Sequence, residues 1–168
     1  MAILDLVIYP DPVLRAVAQE VEEIDEEVLT LVSSMAETMY EYKGVGLAAP
    51  QVGVSRRIFV IDVSEPGEAS ELRVFINPKI LTRSGSVIWN EGCLSFPGFF
   101  EEVEAVEELE VEALNERGEL FRLKASGLMA VAISHENDHL NGVVFIDRLS
   151  PVRRKLAERR WRNLQKRQ

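Results

Sequence analysis

Both histidines of the chain lie in one short motif, His135-Glu136-Asn137-Asp138-His139. Residues four apart on an α-helix share a face, so the two imidazoles can bind one metal ion. Glu136, next to the first histidine, is then placed to act as a general base on water at that metal. The alternative is two unrelated surface histidines. In a chain with only two histidines, this spacing around a glutamate favours a catalytic metal site.

A catalytic metal ion usually needs a third protein ligand and one open coordination position. Metallopeptidases supply that ligand downstream, as a third histidine or a carboxylate. Here Phe145 stands where the histidine would be, and the only later carboxylates are Asp147 and Glu158, so a peptidase is the weaker alternative. Upstream, the single cysteine, Cys93, follows a glycine; its thiolate would complete a set of one sulfur and two nitrogens. A lone cysteine is more often a small buried residue, and that alternative stays open.

Three segments together resemble the motifs of the peptide deformylase family in order and spacing. They are Gly44-Val45-Gly46-Leu47-Ala48-Ala49-Pro50-Gln51, Glu91-Gly92-Cys93-Leu94-Ser95 and His135-Glu136-x-Asp138-His139-x-x-Gly142. The resemblance is to the bacterial type and extends over nearly the whole chain. It implies a metal-dependent hydrolase that removes the N-formyl group from the N-terminal formylmethionine of nascent polypeptides and releases formate.

The resemblance also implies a role for individual residues of each segment. Cys93, His135 and His139 become the metal ligands, and Glu136 becomes the general base. The donors to the developing oxyanion become the side-chain amide of Gln51 and the backbone N–H of Leu94. The implied substrate-binding residues are Gly44, Val45 and Gly46, which offer a strand edge to the peptide, and Trp89, Leu128 and Val131, near the methionine pocket. Leu128 and Val131 could equally be ordinary core residues.

The metal implied by the resemblance is Fe(II) in the cell, while Zn(II), Ni(II) or Co(II) can occupy the same donors in purified protein. Several positions depart from the family pattern. Two of them, Ser134 and Asn137, lie in the histidine segment. Ala105 stands where bacterial members commonly have an arginine, so we expect the cation that would answer Asp138 or Glu91 to be missing. The pair Phe99-Phe100 is expected to alter the rim of the substrate site.

The elements that must position these residues follow from the hydrophobic pattern. Asp25 reads as the N-cap of a first helix, a second helix runs from Leu128 to about Leu140, and Ser150-Pro151 opens a third. Between the first two helices lie strand-like runs at 58–63, 74–77, 87–89, 109–114 and 120–123. This order predicts an α+β fold with largely antiparallel β-sheets packed around a central helix that carries H-E-x-x-H, and a C-terminal helix.

The composition predicts a single domain over residues 1–168, since 46% of the residues are hydrophobic and 28% charged. No apolar run approaches the roughly 18 residues that a membrane span needs. The first residues lack the features of a targeting segment, and the single cysteine excludes an internal disulfide. We therefore expect a cytoplasmic monomer with no membrane contact.

The basic C-terminal helix, at about 151–168, is the main charge asymmetry of the chain. Residues 148–168 hold nine basic residues and one acid, a net charge of +8, whereas the whole chain carries −9. Members of the bacterial type place such a helix on the ribosome, so ribosomal RNA is the expected polyanion. The alternatives are a merely solvated charged face and, for the whole protein, a ribosome-associated module with a structural metal. Glu136 argues against that module, because a closed structural site has no use for a base.

Overall fold

The structure is a computed structural model that describes residues 2–167. Its regular elements are three α-helices and one five-stranded sheet. In chain order they are α1 (Glu26–Glu41), β1 (Gly46–Ala48), β2 (Ile58–Ile61), β3 (Arg73–Cys93), β4 (Phe96–Leu114), β5 (Leu120–Ser126), α2 (Gly127–Leu140) and α3 (Pro151–Lys166). Short 3-10 turns lie at Pro12–Arg15, Ala49–Val52 and Phe145–Arg148. The α+β prediction is confirmed, although the predicted end of α3 at Gln168 lies outside the described residues. None of the helices in 2–167 is long and apolar enough to cross a membrane.

The sheet is antiparallel throughout, with its strands in the order of the sequence. The runs predicted at 74–77 and 87–89 are parts of one long strand, β3. Pro78 does not end this strand, because the register shifts between Ile76 and Lys79 and the bulge removes the ladder position that a proline cannot fill. The strand can therefore continue to Cys93, its last residue.

Side-chain caps fix where two of the helices begin. The Asp25 carboxylate accepts a hydrogen bond from the backbone N–H of Val28 at 3.0 Å, and the Ser150 hydroxyl accepts one from Arg153 at 3.4 Å. Each cap pairs an amide that the first helical turn leaves without a partner. Both predicted helix starts are confirmed.

Helix α2 lies at the centre of the molecule, packed against β1, β2, β4 and β5. One core cluster joins Ile133 and Leu140 of this helix to Phe59 and Phe75 of the sheet. A second cluster, called the aromatic cluster, packs α3 against β4 and includes Tyr9, Phe96, Phe99, Phe145 and Trp161. Because four strands and the first cluster pack against α2, the polar residues of its last two turns are buried with it.

Candidate metal centre

Three ligand atoms converge where the end of β3 meets the last turns of α2. The Cys93 Sγ lies 3.3 Å from His139 Nε2, which in turn lies 3.2 Å from His135 Nε2. All three atoms are within 4.8 Å of one another. A thiol and two imidazoles aimed at one point match the donors that a divalent transition metal binds. The residues present therefore fit a metal ion.

A neighbouring carboxylate orients the first histidine. Glu91 Oε1 lies 2.8 Å from His135 Nδ1, and the side chains of both residues are nearly buried. Hydrogen bonding at Nδ1 directs the proton to that nitrogen and leaves Nε2 as the metal-binding atom. Glu91 thus selects the tautomer that the ligand set requires.

Burial and neighbouring charges set the protonation of the cluster in the metal-free chain. Burial lowers the pKa of both imidazoles, but at His135 the charges of Cys93 and Glu136 outweigh it and raise that pKa well above its ordinary value. At His139 burial, together with the charge of His135, lowers the pKa well below its ordinary value. Burial raises the pKa of Glu136 to about 7. Protons and a metal ion therefore compete for the same site.

Glu136 lies beside the ligands and faces the backbone of β1. A Cβ added at Gly46 would come within 2.7 Å of Glu136 Oε2, so only glycine permits this approach. The other oxygen, Oε1, is buried and has no hydrogen-bond partner among residues 2–167. An unpaired buried carboxylate oxygen is costly, and it is available to take up a proton.

Gln51 aims its amide group at the cysteine. Its Oε1 accepts a hydrogen bond from Ala48 N at 3.0 Å, which fixes the orientation of the amide. Its Nε2 then donates to Cys93 Sγ at 3.3 Å and to Ser95 Oγ at 3.2 Å. Leu94, in the turn between β3 and β4, is the other predicted donor and lies next to the same ligand. The structure therefore places both predicted oxyanion donors beside the ligand atoms.

A groove of about 820 Å³ opens onto the ligands. Its lining includes Gly44, Val45, Gly46, Gln51, Leu94 and Glu136, all predicted from the sequence to be functional. Trp89, Leu128 and Val131 are not among the groove-lining residues of the described chain. Val131 instead lines a smaller cavity of about 160 Å³ on the other side of His135. The groove thus brings together the ligands, the base and the strand edge, whereas Val131 lines the smaller cavity beside His135 and Trp89 and Leu128 line neither of these two cavities.

Comparison with known proteins shows to which family the chain belongs. The profile described as polypeptide deformylase matches residues 3–155. The chain belongs to the peptide deformylase family. It is 48% identical to the peptide deformylase of Neisseria gonorrhoeae over 166 residues, 99% of this chain and 98% of that protein. A solved peptide deformylase structure from Legionella pneumophila superposes with a TM-score of 0.91 at 42% identity, covering 98% of this chain and 96% of the other.

Membership establishes the reaction. A peptide deformylase from Ehrlichia chaffeensis solved with actinonin is similar over 95% of this chain and 96% of its own, with a TM-score of 0.88 and 40% identity. The chain is a metal-dependent hydrolase that removes the formyl group from N-formylmethionyl peptides. Among the described residues, the group Cys93, His135 and His139 could hold the metal of this deformylase.

Two residues that contribute to the deformylase site were not assigned roles from the sequence. Ser95 accepts one of the two hydrogen bonds from Gln51 Nε2. Arg148 binds the Asp138 carboxylate through two hydrogen bonds of 2.6 and 3.0 Å. The cation expected to be missing because of Ala105 is thus supplied to Asp138 from the 3-10 turn after α2. Arg148 lies ten positions after Asp138, which is not the spacing of three or four that pairs side chains on a helix, so the sequence does not predict this ion pair.

Proposed function

We propose that deformylation takes place at Cys93, His135 and His139, with these residues as metal ligands and Glu136 as the general base. The observation that carries the proposal is the convergence of the three ligand atoms within 4.8 Å beside the buried Glu136 carboxylate. A divalent metal, when bound there, supplies a Lewis acid that polarises the formyl carbonyl and lowers the pKa of water.

The chain's own residues move the proton and stabilise the developing charge. Glu136 Oε1 accepts a proton from the attacking water and later passes it to the nitrogen of the methionine, as the C–N bond to the formyl carbon breaks. Gln51 Nε2 and the backbone N–H of Leu94 donate hydrogen bonds to the carbonyl oxygen as it gains negative charge. The products are formate and a peptide with a free amino terminus.

The substrate peptide binds along β1 in this proposal. Within residues 2–167, β1 is the first strand in the order of the sheet and pairs with β2 alone, so its second edge has no strand partner. Main-chain hydrogen bonds from Gly44, Val45 and Gly46 would hold an extended peptide whatever its side chains, as a deformylase of many nascent chains requires. Trp89, Leu128 and Val131 stay predictions for contacts to the methionine side chain.

The role of Glu136 is tested by the substitution Glu136→Gln. We expect kcat/KM on formyl-Met-Ala-Ser to fall by about 10²–10⁴, because the amide cannot take the proton, while the ligands remain. Elemental analysis should show undiminished metal content. Glu116→Gln, in the exposed turn before β5, is the control and should behave like the wild type. Near wild-type turnover in Glu136→Gln would exclude Glu136 as the base.

We propose Fe(II) as the metal in the cell, as the resemblance implies. One thiolate and two imidazoles also bind Zn(II), Ni(II) and Co(II). These metals bind more tightly than Fe(II), so they can replace iron in the purified protein. Protein purified without oxygen should contain iron and lose activity quickly in peroxide, whereas the Ni(II) form should resist. Equal resistance of the two forms would argue against an iron enzyme.

We also propose that α3 binds ribosomal RNA, and that its outer face makes the contact. Lys155, Arg159, Arg162 and Lys166 are spaced by four, three and four residues and are all exposed. None of the four forms an ion pair within residues 2–167. By contrast, Arg153 and Arg160 bind Glu101 of β4, and Arg154 binds Asp147. A ribosomal partner agrees with the predicted cytoplasmic location.

Charge reversal on the outer face tests this proposal without disturbing the core, whereas deletion of α3 would remove the buried Trp161 and expose the aromatic cluster against which it packs. Arg159→Glu, Arg162→Glu and Lys166→Glu combined should abolish cosedimentation with ribosomes. Wild-type affinity should fall steeply with added salt, since counterions are released from the RNA on binding. The control reverses three exposed cations elsewhere, Arg73, Arg117 and Lys124. Unchanged ribosome binding by the α3 variant would contradict the proposal and would indicate that these basic side chains are only solvated.

A further inference from the structure

One large aromatic side chain, Phe100, stands exposed in the groove that opens onto the metal ligands. Its exposed fraction is 60%, although every other phenylalanine of the described chain is buried or half-buried. Single exposed apolar residues are common on protein surfaces and need no explanation. Phe100 differs because it lines the groove together with Cys93 and Glu136.

An irregularity in the pairing of β3 and β4 places this ring. Gly92 pairs with Phe100, whereas the next residue, Cys93, pairs with Phe96, so the three residues between bulge out of β4. Gly98, in this bulge, has a φ of 74°, which favours glycine. The ring of Phe100 lies over Gly92, where an added Cβ would come within 2.5 Å of it. The aromatic face therefore lies one residue from a metal ligand.

The residues on both sides of Phe100 are anchored. Phe99 is buried against Phe96 and Trp161, with ring centroids 6.1 and 5.8 Å apart. Glu101 accepts hydrogen bonds from Arg153 and Arg160 of α3. The neighbours of Phe100 are thus held by the aromatic cluster and by two ion pairs, which favours a backbone that presents the ring in advance of any ligand.

Other residues that line the groove are apolar as well. Tyr42 and Val45, which precede β1, line it with exposed fractions of 46% and 42%. The charged residues of the lining are few, and Asp5 and Lys43 are of opposite sign. The part of the groove that Phe100, Tyr42 and Val45 line is thus suited to an uncharged, apolar side chain.

We propose that Phe100 makes this deformylase select substrates with a large apolar or aromatic side chain at one of the two residues that follow the formylated methionine. The inference rests on the proposed function, in which the peptide extends along β1 from the ligands. Successive residues of an extended strand advance about 3.3 Å and point to opposite sides. Only one of the two residues can then face the ring, so the selectivity is confined to one position.

Two peptide series test this selectivity. In formyl-Met-X-Ala-amide and formyl-Met-Ala-X-amide, X is Ala, Leu, Phe or Lys, and kcat and KM are measured for each peptide. For one series only, we expect kcat/KM for Phe to exceed that for Ala by about tenfold, the size of discrimination that one apolar contact can give. In Phe100→Ala that ratio should fall to near one, and in Phe100→Leu it should be intermediate.

The control is Ile88→Ala, which removes an apolar side chain 69% exposed on β3 but outside the groove lining. This variant should keep the wild-type ratio. A ratio near one in the wild type, or a ratio that survives in Phe100→Ala, would overturn the inference while the proposed function stands. Failure of the wild type to hydrolyse any of the formylated peptides would instead contradict the proposed function.

Discussion

At Glu136, the carboxylate proposed to act as the base, the absence of a side chain on Gly46 matters as much as the residues present. Gly46 has ordinary backbone angles, so its glycine is not explained by a turn. It is explained by space, because Glu136 Oε2 occupies the volume that a Cβ would fill. Gly46 therefore brings β1, the strand proposed to bind the substrate, into contact with Glu136, the proposed base.

Gly46→Ala should consequently displace the Glu136 carboxylate. We expect kcat/KM to fall by about 10²-fold, the effect of misplacing a catalytic group by about 1 Å, with the metal content unchanged. The shorter aspartate of Glu136→Asp relieves the contact, so adding Gly46→Ala to that variant should cost little more. A double-mutant cycle measures this coupling. Strictly additive losses would show that the two residues do not interact.

Helix α1 is attached to the end of β2 through one buried carboxylate. Asp62 accepts hydrogen bonds from Tyr40 Oη at 2.6 Å and from Ser64 Oγ at 2.5 Å. Ser70 Oγ also donates to it, at 2.9 Å. Burial by itself would raise the pKa of Asp62, but these hydrogen bonds, those from Ser64 foremost, outweigh burial and hold the pKa below its ordinary value.

This depressed pKa predicts how stability depends on pH. An aspartate whose pKa is lower in the folded state stabilises the protein above its unfolded pKa of about 4, and that stabilisation is lost as the pH falls toward the folded pKa. Asp62→Asn should therefore be less stable than the wild type at pH 7, and the difference should shrink below about pH 4. Urea unfolding at several pH values measures it. A difference independent of pH would contradict the assigned ionisation.

The metal centre connects distant parts of the whole molecule. Cys93 and His139 are 46 residues apart, and the first belongs to the sheet and the second to the central helix. Because the unfolded chain does not hold these ligands together, metal binding adds directly to the free energy of unfolding. At a metal concentration 100 times Kd the gain is about 2.7 kcal/mol.

Removal of the metal with a chelator should accordingly lower the Tm, and Zn(II) or Ni(II) should restore it. In Cys93→Ala the metal-dependent shift of the Tm should largely disappear, since only two ligands remain. Thermal unfolding followed by circular dichroism measures both shifts. A full shift in Cys93→Ala would exclude the thiolate as a ligand. Sedimentation of the same samples checks the predicted monomer.

Most elements were predictable because their signals are local. Asp25 and Ser150 cap their helices in the sequence as in the structure, and the H-E-x-x-H spacing places two imidazoles on one helical face. The length of β3 was not predictable, because a proline normally ends a strand and only the bulge at Asn77-Pro78 allows it to continue. Periodicity does not report bulges, which depend on the pairing partner.

The sequence by itself determined the types of the candidate ligands, the spacing of the two histidines and the position of the proposed base between them. Only the tertiary structure decided that Cys93 meets them, that Arg148 reaches Asp138 and that Phe100 faces the groove. These contacts join separate elements, so they depend on strand register and on the packing of α2 and α3 against the sheet. Local periodicity carries no information on either, because both are set by which buried surfaces fit together.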